Sequence, residues 1–289
     1  MKSISWTGRE QWLDDTLQTA RRVAAEAAMA AGRLARERFF GGWTRREKGN
    51  RGDWVTDVDL KADHLIVDRI RQHFPDHQVR SEEQGTVGPE SDWLWYVDPL
   101  DGTNNYAMGL PVYGVSITLL HRRQPVLGVI YDSPLDRLYI AEKGKGAQCG
   151  EASLQLNKGD SLAKMTVGWI QGHQVGNDPA AGILRQLMDR KFKRVLRLWA
   201  PSLLWCMLAR GDLDGIILYN SEGEDLYAGL LMAKEAGAAV VDYQGNPFTV
   251  MNPEPYLIAC HPDYMEEFLA LVSEGREGDA GDVCTEGEG

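Results

Sequence analysis

A short apolar segment followed at once by crowded acidic residues constrains this chain more than any other feature. Residues 93–97 read WLWYV, a run typical of a buried strand, and Asp98 and Asp101 come directly after it. Carboxylates crowded at the end of a buried strand repel each other unless a cation compensates their charge. Oxygen ligands of this kind suit Mg²⁺ or Mn²⁺. The sequence therefore predicts a divalent metal site where this strand ends.

The residues that follow the strand also have the composition of an anion site. Pro99 stiffens the backbone between the two aspartates, and the carbonyl of Leu100 can point inward with them. Gly102 permits close approach, and the amides of Gly102, Thr103 and Asn104 begin a new segment. A metal site beside an anion cradle indicates phosphoryl chemistry.

Acidic residues lie at the ends of predicted elements in four segments: residues 54–59, 81–85, 98–105 and 222–225. Each segment also has a structural interpretation. DPLDGT could be a surface turn, Thr56, Asp59 and Asp225 could cap helices, and Glu82 with Glu83 could be a solvated pair. The four segments together favour a functional site over four separate coincidences.

The hydrophobic pattern predicts an antiparallel first half and a second half in which strands and helices alternate. Helices are predicted over residues 11–40, 59–73, 180–192, 201–210, 225–237 and 262–273. Strands are predicted over residues 93–97, 112–121, 124–131, 137–141, 194–198, 215–219, 239–243 and 255–260, with a loop over 43–53 and a break at 144–150. We expect an α+β or α/β chain with an N-terminal half over residues 1–150, a C-terminal half over 151–273 and a disordered acidic tail over 274–289.

The charge of the chain limits its partners. The net charge is −11, from 42 acidic and 31 basic residues, so we expect no nucleic-acid partner and no anionic-membrane partner. The four cysteines form no CxxC pair, which indicates free thiols in a reducing cytosol. The N-terminus lacks the apolar stretch of a signal peptide, and no apolar run has the length of a membrane span. These features predict a cytoplasmic protein.

Taken in order, the acidic segments resemble the inositol monophosphatase family. The motif DxVTxxD lies at residues 53–59, the glutamate pair at 82–83, DPxDGTxN at 98–105, and Asp225 precedes a helix that ends in Glu-Ala-Gly at 235–237. The similarity also covers residues 128–131 and 143–147, and it spans roughly residues 10–270. DPLDGT in order with the other segments is a specific signal.

The resemblance implies a layered αβαβα fold and the Mg²⁺-dependent hydrolysis of a phosphate monoester of a small metabolite. It also implies that family members often form homodimers, so we expect one for this chain. The implied metal ligands are Glu82, Asp98, Asp101, Asp225 and the carbonyl of Leu100.

The remaining implied roles concern water and phosphate. Thr103 and Glu82 would orient and activate the attacking water, and Asp59 would support Thr103. Asp101, Gly102, Thr103 and Asn104 would bind the substrate phosphate. Lys48 lies where the family often has a lysine near the site, although it could equally be a solvated loop charge.

The substrate-facing part departs from the family pattern. Residues 198–202 read LWAPS where inositol-specific members have small residues, and Leu218 replaces the acid that binds inositol. Glu224 replaces a tryptophan, and Ser81 replaces the glycine before the glutamate pair. The candidate replacements in the pocket are Ser202, Tyr219, Asn220, Glu222, Arg194 and Arg197, each of which could instead be structural.

These departures leave the substrate open. Beside an inositol-, sugar- or cyclitol-phosphate phosphatase, the alternatives are a 3′(2′),5′-bisphosphate nucleotidase and a fructose-1,6-bisphosphatase. A silent sensor of a phosphorylated metabolite is the non-enzyme alternative.

Overall fold

Helices and sheets alternate in five layers in the computed structural model, in the order helix, sheet, helix, sheet, helix. The structure describes residues 6–48, 53–172, 175, 178–221, 226–249 and 256–282. The predicted αβαβα fold is therefore confirmed.

Helices and strands are numbered separately, each in chain order. The helices are α1 (Trp6–Arg38), α2 (Asp57–His73), α3 (Thr103–Met108), α4 (Pro179–Lys191), α5 (Pro201–Ala209), α6 (Tyr227–Glu235) and α7 (Met265–Asp282). The strands are β1 (Arg45–Lys48), β2 (Asp53–Thr56), β3 (Gln78–Ser81), β4 (Gly85–Val87), β5 (Trp93–Asp101), β6 (Gly114–His121), β7 (Gln124–Asp132), β8 (Arg137–Glu142), β9 (Gly146–Cys149), β10 (Ala152–Ser153), β11 (Thr166–Gln171), β12 (Arg194–Leu196), β13 (Gly215–Tyr219), β14 (Ala239–Asp242) and β15 (Leu257–Cys260).

The first sheet has eight strands in the order β10-β9-β8-β7-β6-β5-β3-β4. Helices α1 and α2 pack together on one of its faces. The buried side of α1 is mostly alanine, and Ala24, Ala27, Ala28 and Ala31 have no exposed surface. Small side chains let α1 approach α2 and β7 closely, which makes this helix pair a tight outer layer.

The second sheet has five strands in the order β12-β11-β13-β15-β14. Strands β12, β11 and β13 run parallel, and β15 runs antiparallel to its neighbours. Helices α4 and α7 cover its outer face, while α5 and α6 fill the layer between the two sheets. At Gly128 on β7, a Cβ would lie 2.9 Å from the Cα of Ala228, so glycine allows α6 to pack against the first sheet.

Residues 45–48, residues 146–149 and the end of α7 differ from the sequence predictions, and β11 lies where no strand was predicted. Residues 45–48, predicted as loop, form β1 and pair with β2, and the Arg45 guanidinium lies 4.0 Å from the Trp54 ring centroid. Residues 146–149, predicted as a break, form β9, because the Glu235 carboxylate accepts from the amides of Gly144 and Gly146 and holds the preceding turn. β1 reads RREK and β9 reads GAQC, so no local apolar pattern marked either strand.

The third difference is α7, which continues to Asp282, past residue 274, where the sequence predicted a disordered tail. Gly275 is buried against α4, where a Cβ would lie 2.9 Å from Leu184 Cδ1. Lys191 also pairs with Glu274 at 3.5 Å. These contacts with α4 extend the helix; the final residues, 283–289, lie outside the described part of the chain.

Within the described residues, no helix combines the length and the apolar character that crossing a bilayer requires. Cys149, Cys206 and Cys260 are free thiols, as the sequence predicted, and Cys284 lies outside the described residues.

Candidate active site

A β-bulge at the end of β5 places two acidic side chains on the same face of the first sheet. Asp98 pairs with Ser116 and Asp101 with Gly114 on β6, so three steps along β5 correspond to two along β6. Residues 98 and 101 would point to opposite faces of a regular strand, but the extra residue returns both to one face. Pro99 lies in the bulge, where its missing N–H breaks no ladder bond. The sequence predicted that the strand ends at Val97; instead both aspartates lie within it.

Glu82 is positioned beside Asp98 by the neighbouring parallel strand. Ser81, the last residue of β3, pairs with Val97, and the amide of Glu82 donates to the Val97 carbonyl at 3.1 Å. Since side chains alternate along both strands, Glu82 and Asp98 lie on the same face. Three of the predicted metal ligands therefore meet at one edge of the sheet.

Asp101 is buried and is held by the first turn of α5. Its side chain accepts hydrogen bonds from the Ser202 amide, at 2.8 Å, and from the Ser202 hydroxyl. Burial raises the pKa of Asp101 to about 6, with the charge of Glu82 adding to the effect and the Ser202 bonds opposing it. Ser202 was a candidate for substrate binding in the sequence; the structure shows it bound to Asp101.

Thr103 and Asp59 form a second buried unit next to these carboxylates. The Thr103 hydroxyl lies 2.6 Å from Asp59 Oδ1 and 2.9 Å from the Leu100 carbonyl. Thr56 caps α2 and donates to the other oxygen of Asp59 through its amide, at 2.9 Å, and its hydroxyl. Burial raises the pKa of Asp59 to about 6 against the effect of these bonds. The capping role considered for Thr56 is thus confirmed, and it coexists with the contact to Thr103.

Lys48 reaches from β1 to both glutamates. Its Nζ lies 2.8 Å from Glu82 Oε1 and 2.6 Å from Glu83 Oε1. Burial acts to lower the pKa of Lys48, but the Glu82 charge and the hydrogen bonds to both glutamates raise it above its ordinary value. Lys48 therefore supplies a positive charge to the acidic edge and is not a solvated loop residue.

The corner after β5 depends on glycine. Gly102 has φ 94°, and a Cβ there would lie 2.8 Å from the Val112 carbonyl oxygen. The side chain of Asn104 turns away to β2, donating to Asp53 Oδ1 at 3.1 Å and accepting from the Trp54 amide at 3.2 Å. Because the Asn104 side chain is engaged with β2, its backbone amide is the group available to contact a phosphate.

The fourth predicted carboxylate ligand, Asp225, lies outside the described residues, as do Glu222 and Glu224. Among the residues that are described, no three acidic, histidine or cysteine side chains form a group arranged to hold a metal ion. The chain's oxygen donors nevertheless fit a hard divalent cation: the carboxylates of Asp98 and Asp101 are buried on one face, and Asp101 contacts no cationic side chain of the described chain.

The predicted pocket residues are divided between core and surface. Leu218 is fully buried between the sheets, and the Tyr219 hydroxyl donates to Asp178 at 2.8 Å. Asn220 has a left-handed backbone with φ 44°. Trp199 is 52% exposed. Arg194 and Arg197 are both exposed.

Sequence reasoning missed the hydrogen bond between Ser81 and Asp63, which joins the end of β3 to α2 directly before Glu82. Asp63 has no exposed surface, and burial raises its pKa to about 6. The departure from glycine at Ser81 was the available signal, because a buried serine hydroxyl requires a partner.

The five-layered fold and this carboxylate edge define the class of protein in structural terms, and comparison with known proteins identifies the family. The profile of the inositol monophosphatase family matches residues 16–277. A protein named fructose-1,6-bisphosphatase/inositol-1-monophosphatase, from Aquifex aeolicus, is 34% identical over 235 residues, covering 79% of this chain and 87% of its own. An inositol-1-monophosphatase from Mesorhizobium japonicum is 34% identical over 228 residues, covering 77% and 85%.

A solved structure agrees with these relatives. The extragenic suppressor protein SuhB of Bartonella henselae superposes with a TM-score of 0.82 at 26% identity, covering 89% of this chain and 99% of its own. The chain belongs to the inositol monophosphatase family, and its relatives support a phosphatase activity.

Proposed function

We propose that this protein hydrolyses a phosphate monoester of a small metabolite by in-line attack of a water molecule, with Mg²⁺ or alternatively Mn²⁺ as cofactor. The observation that carries the proposal is the shared face of Glu82, Asp98 and Asp101 beside the Thr103–Asp59 pair. Membership in a phosphatase family supports the same conclusion.

Glu82, Asp98, Asp101, Asp225 and the Leu100 carbonyl would hold the metal. Leu100 is placed for this role by Asp98, whose Oδ1 accepts from the Leu100 amide at 3.0 Å. When bound, the metal would neutralise charge on the phosphoryl oxygens and lower the pKa of the attacking water.

Thr103 would orient that water. A hydroxyl has one proton, and donating it in a hydrogen bond to Asp59 leaves the Thr103 oxygen free to accept a hydrogen bond from the water. Glu82 would take the proton that the water loses, which requires Lys48 to release or share its carboxylate. The amides of Gly102 and Thr103, together with Asn104, would hold the phosphate.

Replacing Asp98 with asparagine tests the proposal. We expect Asp98→Asn to lower metal-dependent phosphate release by more than the roughly 10–100-fold that loss of an outer hydrogen-bond partner costs. Asp92→Asn is the matched control, since Asp92 is an exposed residue paired with Arg122. Unchanged circular dichroism would show that the fold persists; near-normal turnover of Asp98→Asn at saturating Mg²⁺ would contradict the proposal.

A panel of phosphorylated metabolites separates the candidate substrates. Inositol, sugar and cyclitol monophosphates, fructose 1,6-bisphosphate and a nucleoside 3′,5′-bisphosphate would be compared by phosphate release with and without Mg²⁺. Tight binding without release from any of them would favour the sensor of a phosphorylated metabolite.

We also propose that the protein forms a homodimer in the cytoplasm. The resemblance to the family supports a homodimer, which sedimentation velocity would detect as a species of twice the 32.2 kDa chain mass. The free thiols of Cys149, Cys206 and Cys260 are consistent with a reducing cytoplasm.

A further inference from the structure

Helix α2 has two buried aspartates on the same face, Asp59 and Asp63. They lie one helical turn apart, roughly 6 Å along the axis, and both are almost fully buried. Thr103, the first residue of α3, donates its hydroxyl to Asp59 at 2.6 Å. Ser81, the last residue of β3, donates its hydroxyl to Asp63. The two acids therefore tie two separate elements to one rigid helix.

Ser81 lies at the base of the hairpin loop that contains both glutamates. Strands β3 and β4 pair up to Ser81 and Gly85, so residues 82–84 form the loop between them. Strand β4 has three residues and lies at the edge of the first sheet, and Gly85 has a left-handed backbone with φ 71°. A hairpin this short holds its own loop weakly. The bond from Ser81 to Asp63 is thus an additional anchor for the loop.

The burial of Asp63 is costly for the fold. Its Oδ2 atom is buried and has no hydrogen-bond partner among the residues that the structure describes. Taking a carboxyl group out of water without full compensation is unfavourable. Apolar side chains of similar size at positions 63 and 81 would avoid that cost. The stability of the fold therefore does not account for this pair.

The two bonds hold the two groups that act on the attacking water in the proposed function. Thr103 would orient the water, and Glu82, directly after Ser81, would take its proton. A proton acceptor works only within hydrogen-bond reach of the proton, so the separation of Thr103 and Glu82 has to be fixed. Helix α2 fixes it, because one turn holds Thr103 and the next turn holds Ser81.

We propose that Asp63 is a positioning residue of the phosphatase reaction, which acts through the Ser81 hydroxyl to fix the place of Glu82. This inference rests on the proposed function and extends it to two residues to which that function gives no role. Asp63 acts through the glutamate loop and needs no contact of its own with substrate or metal. Groups of this kind keep a reacting side chain in its productive geometry.

Substitutions at both ends of the bond test the proposal in the full chain, with Mg²⁺ and the best substrate of the panel. Asp63→Leu, Ser81→Ala and the double variant should each lower kcat by roughly 10–100-fold, with little change in KM. The losses should not add, because either substitution breaks the same bond. Asp63→Asn keeps an oxygen that can accept from Ser81, so it should recover most of kcat.

Two measurements on the metal-free protein separate positioning from a purely structural role. The double variant should keep its free energy of unfolding, since it removes a buried carboxyl group together with its donor. Amide hydrogen exchange over residues 78–87 should become about tenfold faster as the loop loosens, and stay unchanged in the other strands of the sheet. Asp68→Leu is the matched control, because Asp68 is an exposed aspartate of the same helix.

Several outcomes would overturn this inference alone. They are natural kcat in Ser81→Ala or Asp63→Leu, additive losses in the double variant, unchanged exchange over residues 78–87, and a loss of kcat that only follows a loss of stability. Ser81→Ala, the smallest change, decides the matter if a leucine variant does not fold. Absence of metal-dependent phosphate release by the natural protein from every substrate would instead overturn the proposed function itself.

Discussion

At the scale of single residues, the candidate site consists of buried carboxylates whose hydrogen bonds come from hydroxyl groups. Asp59 accepts from Thr56 and Thr103, and Asp101 accepts from Ser202. Burial raises the pKa of both acids to about 6, and the hydroxyl bonds oppose that change. The hydroxyls thus keep these acids closer to the charged form that binding a cation requires.

Removing the Thr103 hydroxyl should reduce catalysis without removing the fold. We expect Thr103→Ala to lower kcat by about 10²–10⁴-fold, because the water loses the group that orients it. Thr103→Ser keeps the oxygen 2.6 Å from Asp59 and should stay within about tenfold of the natural protein. Steady-state kinetics on the same substrate compares the two variants. If the serine variant loses as much activity as the alanine variant, the hydroxyl is not the functional group.

At the scale of elements, the packing of α7 on α4 depends on a close contact at a glycine. Helix α7 packs on α4 through Gly275, whose missing side chain admits Leu184. Gly182, near the start of α4, has no heavy atom within 4 Å of the position of a Cβ. The two helical glycines therefore serve different purposes.

Alanine substitutions at Gly275 and Gly182 should change the free energy of unfolding in opposite directions. Gly275→Ala places a methyl group 2.9 Å from Leu184 Cδ1 and 3.3 Å from its Cα, and should lower the free energy of unfolding by about 1–3 kcal/mol. Gly182→Ala should raise it by about 0.4–1 kcal/mol, since alanine restricts the unfolded chain. Urea denaturation measures both. Equal effects in the two variants would show that α7 does not pack on α4 in this way.

At the scale of the whole molecule, a buried histidine directly before the first strand of the first sheet, β3, must stay neutral. His77 stacks on Phe74 and Trp93, with ring centroids 4.7 and 5.3 Å away, and its Nδ1 lies 3.0 Å from Trp95 Nε1. The indole N–H can only donate, so Nδ1 accepts and carries no proton. Burial lowers the pKa of His77 from 6.5 to about 4.

Because of His77, the free energy of unfolding should decrease as the pH falls. In the unfolded chain His77 takes up a proton near pH 6.5, whereas in the folded chain it does so only near pH 4. The contribution of neutral His77 to the free energy of unfolding is therefore complete above pH 6.5 and is lost as the pH falls from 6.5 to 4. The slope from His77 is at most about 1.4 kcal/mol per pH unit. Denaturation measured at several pH values should show that His77→Asn reduces the pH dependence of the free energy of unfolding, whereas His73→Asn, at an exposed position, should not. An unchanged slope in His77→Asn would contradict a neutral buried ring.

The sequence by itself determined most of the elements and the order of the acidic segments, and its resemblance to the family implied the layered fold. Apolar periodicity marks α1, α2, β5 to β8 and the second half after β11, because burial of one face is a local requirement on each element. The spacing of Asp98 and Asp101 after an apolar run likewise indicated one site. The roles of these residues, and of Glu82, Thr103 and Asp225, stay predictions.

The tertiary structure alone decided what depends on distant partners. The bulge that turns Asp98 and Asp101 to one face requires pairing with β6, and the reach of Lys48 to the glutamates requires the hairpin of β1 and β2. Ser202 meets Asp101 across 101 positions of chain. No local pattern encodes such contacts, since their energy arises only when separate layers pack together.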